Sequence, residues 1–158
     1  MGTNRQRDLA RELVDRMLSG DDIVFGHQDA DGMSNKLLGS LGEELAERYL
    51  EQRGYDIIDR NYRCPEGEAD LVAYDQDDDG VVLVEVKTRR SRSERGGAYP
   101  EEAVTPEKQR RYRRIALCYA ADHYPVPSIR FDVIGVTLRP ANIGEIRHLC
   151  GAFDWSGR

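Results

Sequence analysis

The sequence predicts an α/β domain in which helices flank a mixed central sheet. Segments with helical apolar spacing and segments rich in β-branched and aromatic residues follow one another in the order α-β-β-β-α-β-β, after an extra N-terminal helix. The first three strands are joined by connections short enough for antiparallel pairing. A helix joins the third strand to the fourth, which permits a right-handed parallel crossover and therefore a sheet of mixed direction.

Length, charge and cysteine content limit the class of protein. The 158 residues fit one domain with an appendage, and the net charge of -6 argues against a general polyanion binder. Residues 87–114 nevertheless carry ten Lys and Arg against four Asp and Glu, which predicts a local basic surface. The three cysteines form no Cys-x-x-Cys pair, and no signal peptide or membrane span is recognisable. The sequence therefore predicts a cytoplasmic protein without a membrane partner.

The N-terminal segment, residues 1–35, is predicted to hold one helix and an acidic linker. Apolar residues recur at helical spacing between residues 4 and 18. The stretch 21–32 is rich in Asp and Gly and is interpreted as a solvated linker without chemistry. Met33 stands directly before the main domain, residues 36–158, so a translation start at Met33 stays open.

A second helix is predicted to begin at Ser40 and to end near Gly54. Ser40 and Glu43 have the spacing of a capping box, in which a hydroxyl and a carboxylate each bind a free amide of the first turn. Glu43 also lies about 20° from Leu50 around the helix axis, at the edge of the apolar arc. Two roles stay open for Glu43, a capping residue and an acid that faces the core.

Two neighbouring strands carry the charges that the sequence places inside the sheet. Side chains two apart on a strand share a face, so Glu68 pairs with Asp70 on the first strand and Glu85 with Lys87 on the second. The run 81–84 is apolar on both faces, which is typical of a central strand. An unpaired charge there costs several kcal/mol unless it has a partner or binds a metal. These residues are therefore candidates for chemistry.

The strand charges, and the acidic turn between the two strands, each have a simpler interpretation. An ion pair between Glu85 and Lys87 within the strand is the structural alternative, and it stabilises by at most about 1 kcal/mol if exposed. The turn from Asp75 to Gly80 has the Asp spacing with which a calcium-binding loop begins, but the twelfth position is Val86 rather than Glu. We interpret this turn as a charged hairpin tip.

A basic loop and a basic helix follow Lys87. The loop is more than a dozen residues long, and loops of that length in a compact domain are usually functional or disordered. Thr105 is the predicted N-cap of a helix that runs to about His123. The outer face of this helix is basic. A run of charged residues on a helix is as often a solvent-exposed face without a binding role as it is a binding surface.

Two further strands complete the predicted sheet. The first runs from Arg130 to Thr137, and within it Asp132 is expected to pair with Arg130 or a neighbouring loop rather than to catalyse a reaction. The second, Ile143 to Leu149, is polar enough to suit a sheet edge.

The charged residues of the helix and the two strands can serve one reaction if they converge. Glu43, Asp70 and Glu85 offer the oxygen ligands that Mg²⁺ prefers. Lys87 would then stand beside the metal-bound water and offset charge that develops on a phosphorane-like transition state. Metal-assisted hydrolysis of a phosphodiester is the reaction that this chemistry serves most directly.

Residues around these positions resemble a known family. The quoted matches lie within about residues 36–153 and are Gly42-Glu43, Ala46, Tyr49-Leu50, Gly54-Tyr55, Arg60-Asn61, Gly67 to Leu71, Val84 to Lys87, Lys108 and Arg130 to Val133. They resemble the YraN-like family of predicted endonucleases. The resemblance implies a restriction-endonuclease-like fold and a PD-(D/E)xK-type site, similar to that of archaeal Holliday junction resolvases.

The resemblance also implies a role for each matching residue. The implied catalytic residues are Asp70, Glu85, Lys87 and Glu43. The implied metal ligands, for Mg²⁺ or Mn²⁺, are Asp70, Glu85, Glu43 and the backbone carbonyl of Val86. Ala69 stands where the motif's name has proline, a position that does not ligate the metal. Residues 36–158 would form the nuclease-like domain, and residues 1–35 lie outside the resemblance.

The predicted function is a Mg²⁺-dependent endonuclease that acts on structured or branched DNA. The basic residues expected to lie along phosphates are Arg89, Arg90, Arg92, Lys108 and Arg111. Two alternatives stay open: a nucleic-acid-binding module on the same fold that does not cleave, and a protein-interaction domain that meets a basic partner. A homodimer would suit a four-way junction, and the sequence does not distinguish DNA from RNA.

Overall fold

Three helices and five strands form the described part of the chain. The structure, a computed structural model, describes residues 2–18, 34–91, 104–139 and 143–154. The elements are α1 (Gly2–Leu18), α2 (Asn35–Gln52), β1 (Tyr55–Cys64), β2 (Gly67–Asp75), β3 (Gly80–Arg90), α3 (Pro106–Asp122), β4 (Ile129–Arg139) and β5 (Ile143–Leu149). None of these helices combines the length and apolar composition that a membrane span requires.

The strands form one mixed sheet in the order β1-β2-β3-β4-β5. β1, β2 and β3 pair antiparallel, β3 and β4 pair parallel across the α3 connection, and β4 and β5 pair antiparallel. The predicted fold class is confirmed, including the extra N-terminal helix and the edge position of β5. The arrangement is consistent with a restriction-endonuclease-like fold.

β3 lies between two apolar layers. Val82 and Val84 belong to the buried cluster under α1 and α2, whereas Val81 and Leu83 belong to the cluster under α3. This alternation explains why the run 81–84 is apolar on both faces, as expected for a central strand. Every odd-numbered residue of this part of β3 therefore faces α3, and every even-numbered one faces α2.

The start of α2 differs from the prediction. The helix begins at Asn35, and its N-cap is Ser34, whose Oγ accepts a hydrogen bond from the Leu37 amide at 3.1 Å. Ser40 and Glu43 lie inside the helix, so the predicted capping box is wrong. The physical reason is that Leu37 and Leu38 continue the apolar stripe toward the N-terminus and pack with the core. Glu43 is therefore free of a capping role.

The hairpin tip and the start of β4 agree with the prediction. Asp75 accepts hydrogen bonds from the amides of Asp77 and Asp78 within the β2–β3 turn. Arg130 binds Asp75 at 2.9 Å and Asp132 at 2.8 Å. The turn is thus a charged hairpin tip that an arginine neutralises, and Asp132 pairs with Arg130 as expected.

α2 lies close against β3 at Gly42. A Cβ atom at this position would overlap the side chain of Thr88, whereas a Cβ at Gly39 would meet no atom within 4 Å. The lack of a side chain at Gly42 therefore sets how near the next residue, Glu43, comes to the sheet.

We expect Gly42→Ala to lower the free energy of unfolding by about 1–3 kcal/mol, because overpacking forces the helix away from β3. Gly39→Ala is the matched control in the same helix, and we expect it to raise stability by about 0.5–1 kcal/mol because alanine favours the helix. Urea unfolding followed by circular dichroism measures both. Equal effects of the two substitutions would contradict a close contact at Gly42.

Candidate functional site

β2 and β3 separate at one end of their ladder, and we call this place the fork. The last residue pair is Leu71 with Val84, although the register if continued would place Ala69 opposite Val86. Ala69 packs in the α3 cluster and Leu71 in the α2 cluster, so the strand alternation breaks between them. Asp70 lies at this break, and its Oδ2 accepts a hydrogen bond from the Val86 amide at 2.7 Å. The Asp70 carboxylate thus accepts the hydrogen bond that a backbone carbonyl of the neighbouring strand would otherwise accept from Val86.

Carboxylates gather around the fork from three elements. They are Glu43 of α2, Glu68 and Asp70 of β2, and Glu85 of β3. Burial, followed by the charge of Glu85, raises the pKa of Asp70 to about 8 even though the Val86 hydrogen bond opposes the rise. Burial also raises the pKa of Glu43 to about 7, with smaller contributions from Glu68 and Glu85. The structure therefore brings the three predicted acids into one neighbourhood.

Glu85 is held on the α3 side of the sheet. The hydroxyl of Tyr112 donates a hydrogen bond to Glu85, and Lys108 Nζ lies 3.1 Å from the other carboxylate oxygen. Burial and the charge of Glu85 raise the pKa of Tyr112 well above its usual value, so the phenol stays a donor. Glu85 forms its ion pair with Lys108 of α3 and not with Lys87 of its own strand. The pairing within the strand is therefore absent from the structure.

The three acids do not form one ligand-sized group in the structure. Within the described residues, the one group of three metal-ligating side chains whose ligand atoms lie within 4.8 Å of one another is Asp132, His148 and Cys150. Glu43, Asp70 and Glu85 interact through charge, but their ligand atoms are not all within that limit of one another. A metal ion bound directly by all three requires at least one of these side chains to move.

Lys87 lies one residue beyond Val86, at the open end of the fork. Its side chain is exposed and follows the α3-facing direction of Glu85. The backbone amide of Val86 is bound to Asp70, while its side chain packs at the edge of the α2 cluster. Lys87 therefore shares one face of β3 with Glu85, without a cost of burial.

The predicted nucleic-acid-binding residues lie on both sides of the sheet. Arg89 is exposed near the end of β3, and Arg90 on the other face donates a hydrogen bond to Asn35 at 3.3 Å. Lys108 and Arg111 lie on α3, where Lys108 is bound to Glu85 and Arg111 is half-buried beside Gly67. Arg92 lies outside the described residues. The set is thus not one continuous surface.

Arg7 of α1 is the cation beside Glu43, and the sequence did not predict it. The charge of Arg7 opposes the rise in the pKa of Glu43 that burial causes. The Asn61 amide, oriented to satisfy both neighbours, accepts a hydrogen bond from Arg7 and donates one to Glu68 Oε1 at 2.8 Å. Arg7 precedes the predicted linker and lies outside the resemblance, so no local pattern signalled it. A role for Tyr112 beside Lys108 could have been predicted, because the two residues lie one helical turn apart on the same face of α3.

A second polar cluster lies on the α2 face of β4 and β5. Asp132 Oδ2 lies 2.7 Å from His148 Nε2, and Cys150 Sγ lies 3.4 Å from the same nitrogen. Asp132 also accepts from Arg130 and from the Gly151 amide at 3.0 Å. Although burial opposes it, hydrogen bonding from His148 and Arg130 holds the pKa of Asp132 below its usual value. The cluster ties β5 to β4 and already contains a cation, Arg130.

Comparison with known proteins identifies relatives of this chain. The model of a family described as uncharacterised protein family UPF0102 matches residues 42–136. The chain is 43% identical over 121 residues to a UPF0102 protein of Pelobacter propionicus, covering 76% of this chain and 84% of the relative. Identity is 45% over 121 residues with a relative from Geobacter sulfurreducens, covering 76% and 91%. It is 43% over 120 residues with one from Syntrophomonas wolfei, covering 75% and 99%. The match contains the fork and excludes α1.

We expect Asp70→Asn to stabilise the metal-free protein, and the gain should grow with pH. The folded state raises the pKa of Asp70 from 3.8 to about 8, so wild-type stability falls as pH rises between these values. Asparagine does not ionise and still accepts from the Val86 amide. Thermal melts in EDTA should show little difference between variant and wild type near pH 4 and a clear rise in Tm near pH 8. Asp77→Asn in the exposed turn is the control, and the same pH trend in both variants would refute the account.

Proposed function

The chain belongs to the uncharacterised protein family UPF0102, and from the chemistry of its fork we propose that it is a Mg²⁺-dependent endonuclease. The proposed reaction is hydrolysis of phosphodiester bonds in structured or branched DNA, with Mn²⁺ as the alternative metal. The family description states no activity, so the proposal rests on the site itself.

The observation that carries the proposal is the group of carboxylates at the fork. Burial and mutual repulsion raise the pKa of Asp70 to about 8 and that of Glu43 to about 7, so the ionised forms are costly without a cation. The donors are all hard oxygen atoms, and Mg²⁺ prefers such ligands. Glu43, Asp70, Glu85 and the Val86 carbonyl fit this metal by donor type. They are the residues that would hold it.

Different residues of the chain have different roles in the proposed reaction. Mg²⁺ held by these ligands would supply a water of lowered pKa and polarise a phosphoryl oxygen. Asp70 is braced by the Val86 amide, and Glu85 is held by Tyr112 and Lys108. Lys87, exposed at the open end of the fork, orients the attacking water or offsets the charge that grows on the phosphoryl group. The basic residues of β3 and α3 bind the flanking phosphates.

One alternative has support from a specific observation. Glu85 is already paired with Lys108, and the three acids do not share a ligand-sized space within the described residues. A nucleic-acid-binding module that does not cleave would have such an arrangement permanently. The proposed nuclease has it only before metal binds.

We expect Asp70→Asn and Lys87→Met each to abolish most cleavage while nucleic-acid binding is kept. Loss of one charge-stabilising group costs about 10²–10³ in rate. The measurement is hydrolysis of a fluorescently labelled forked DNA with Mg²⁺ or EDTA, with Asp77→Asn as control. Cleavage that persists in both variants would exclude this site. Binding without cleavage in the wild type would favour the non-cleaving module.

Metal binding is expected without any substrate. Millimolar Mg²⁺ or Mn²⁺ should raise the Tm of the wild type, because a ligand that binds the folded state stabilises it by mass action. Asp70→Asn should lose most of this shift, and Asp77→Asn should keep it. An equal metal-dependent shift in the wild type and in Asp70→Asn would place the ion elsewhere.

A further inference from the structure

A solvent-open groove runs between α1, the first turns of α2 and the end of β1. Its volume is about 180 Å³, and Glu43 of the fork forms part of its wall. We call it the α1 groove and define it by six of its lining residues, Arg7, Lys36, Ser40, Glu43, Asn61 and Arg63. It approaches the fork from the α2 face, opposite the face that α3 covers.

The α1 groove carries more cations than carboxylates in a chain of net charge -6. Three of its six defining residues are cations, Arg7, Lys36 and Arg63, whereas the nearby carboxyls are Glu43 and Glu68, whose Oε2 lies 3.2 Å from Arg63 Nε. The first turn of α2 contains no acidic residue, so the partial positive charge of this helix N-terminus is not neutralised by a side chain of its own turn. Lys36 and Arg63 are exposed, and the ion pair of Arg63 with Glu68 is itself open to solvent, so both cations can reach a ligand without rearrangement of the core.

The wall of the groove also contains a hydrogen-bond acceptor that has no partner within the described residues. Gln6 of α1 lines it, and the Gln6 Oε1 atom is buried without a hydrogen bond among the described residues. A buried carbonyl oxygen without a donor carries a desolvation cost. A base amino group or a sugar hydroxyl of a nucleic acid would supply that donor once the Gln6 side chain turns toward the groove, whereas inorganic phosphate at neutral pH would mainly supply acceptors.

The α1 wall of the groove lies outside the family match. The matched region begins at Gly42, and a match of 120 residues, such as that with the Syntrophomonas wolfei relative, is too short to hold both α1 and all of residues 42–136. α1 is nevertheless part of the same core, since Val14 is fully buried and Arg48 binds Asp15 at 2.7 Å. The groove is thus a feature that α1 adds to the shared fold.

We propose that the α1 groove is a second nucleic-acid contact surface, in which Arg7, Lys36 and Arg63 bind the phosphates of a strand that enters the fork from the α2 face. The proposal rests on the proposed nuclease function, because the groove leads to Glu43. With the basic residues of α3 on the other face, the fork has a cationic wall on each side. Two walls suit a substrate whose two strands diverge.

The test compares two double variants of equal charge change in the full-length chain. Lys36→Gln with Arg63→Gln removes two groove cations, while Arg16→Gln with Arg53→Gln removes two cations from the last turn of α1 and the C-cap of α2. All proteins carry Asp70→Asn so that the DNA is not consumed. Fluorescence anisotropy of a fluorescein-labelled forked DNA gives Kd between 50 and 200 mM salt, the range over which phosphate contacts are lost. Thermal melts establish that both variants are folded.

We expect the groove variant to lower the slope of log Kd against log salt by about one to two, the value for two lost phosphate contacts, and the control variant to leave it unchanged. Equal slopes for the two variants would overturn the proposal. A separate cleavage assay, with the same variants made in the protein that keeps Asp70, distinguishes the groove proposal from the nuclease proposal. If the groove variant binds DNA more weakly and the protein with Asp70 shows no Mg²⁺-dependent cleavage, the groove proposal is supported and the nuclease proposal is refuted. If the protein with Asp70 cleaves DNA, and the groove substitutions change neither cleavage nor binding, the nuclease proposal is supported and the groove proposal is refuted.

Discussion

The hydrogen bond from the Val86 amide to Asp70 is the interaction on which the rest of the site depends. It satisfies a backbone donor where β2 leaves β3, and an unsatisfied amide at the centre of a sheet would be costly. The same bond fixes a carboxylate between two apolar layers, where burial raises the pKa of Asp70 to about 8. The fold therefore tolerates an acid whose ionised form destabilises it. Such a position is typical of residues retained for chemistry rather than for stability.

The two helices that pack on opposite faces set the positions of the other acids. Gly42 lets α2 approach Thr88, and this contact brings Glu43 to the fork from one side. Tyr112 and Lys108 draw Glu85 toward α3 on the other side. Because both helices are anchored by buried clusters, the positions from which Glu43 and Glu85 approach the fork follow from core packing and not from a flexible loop.

Sequence patterns predicted the elements whose signals are local. The apolar run 81–84 identified β3 as a central strand, and Thr105 with Pro106 marked the start of α3 where the structure has it. The start of α2 was misplaced because Ser34 and Ser40 both precede apolar residues at helical spacing, and only packing distinguishes them. The partners of Glu85 and Glu43 were missed for a different reason. Lys108 and Arg7 reach them across the fold, and neither strand periodicity nor capping rules contain that information.

The net charge of the chain does not decide whether nucleic acid can approach the fork. At physiological ionic strength the Debye length is about 8 Å, so charges beyond that distance are largely screened. Acidic residues such as Asp77 and Asp79 lie in the hairpin turn at the opposite end of β2 and β3, where they are too remote to matter. Within reach of the fork are its own carboxylates, which a divalent cation would neutralise, and the cations of α1 and α3. In the proposed nuclease, a strand of phosphates would therefore meet a surface whose local sign depends on the metal, and this dependence would couple substrate binding to the proposed ion.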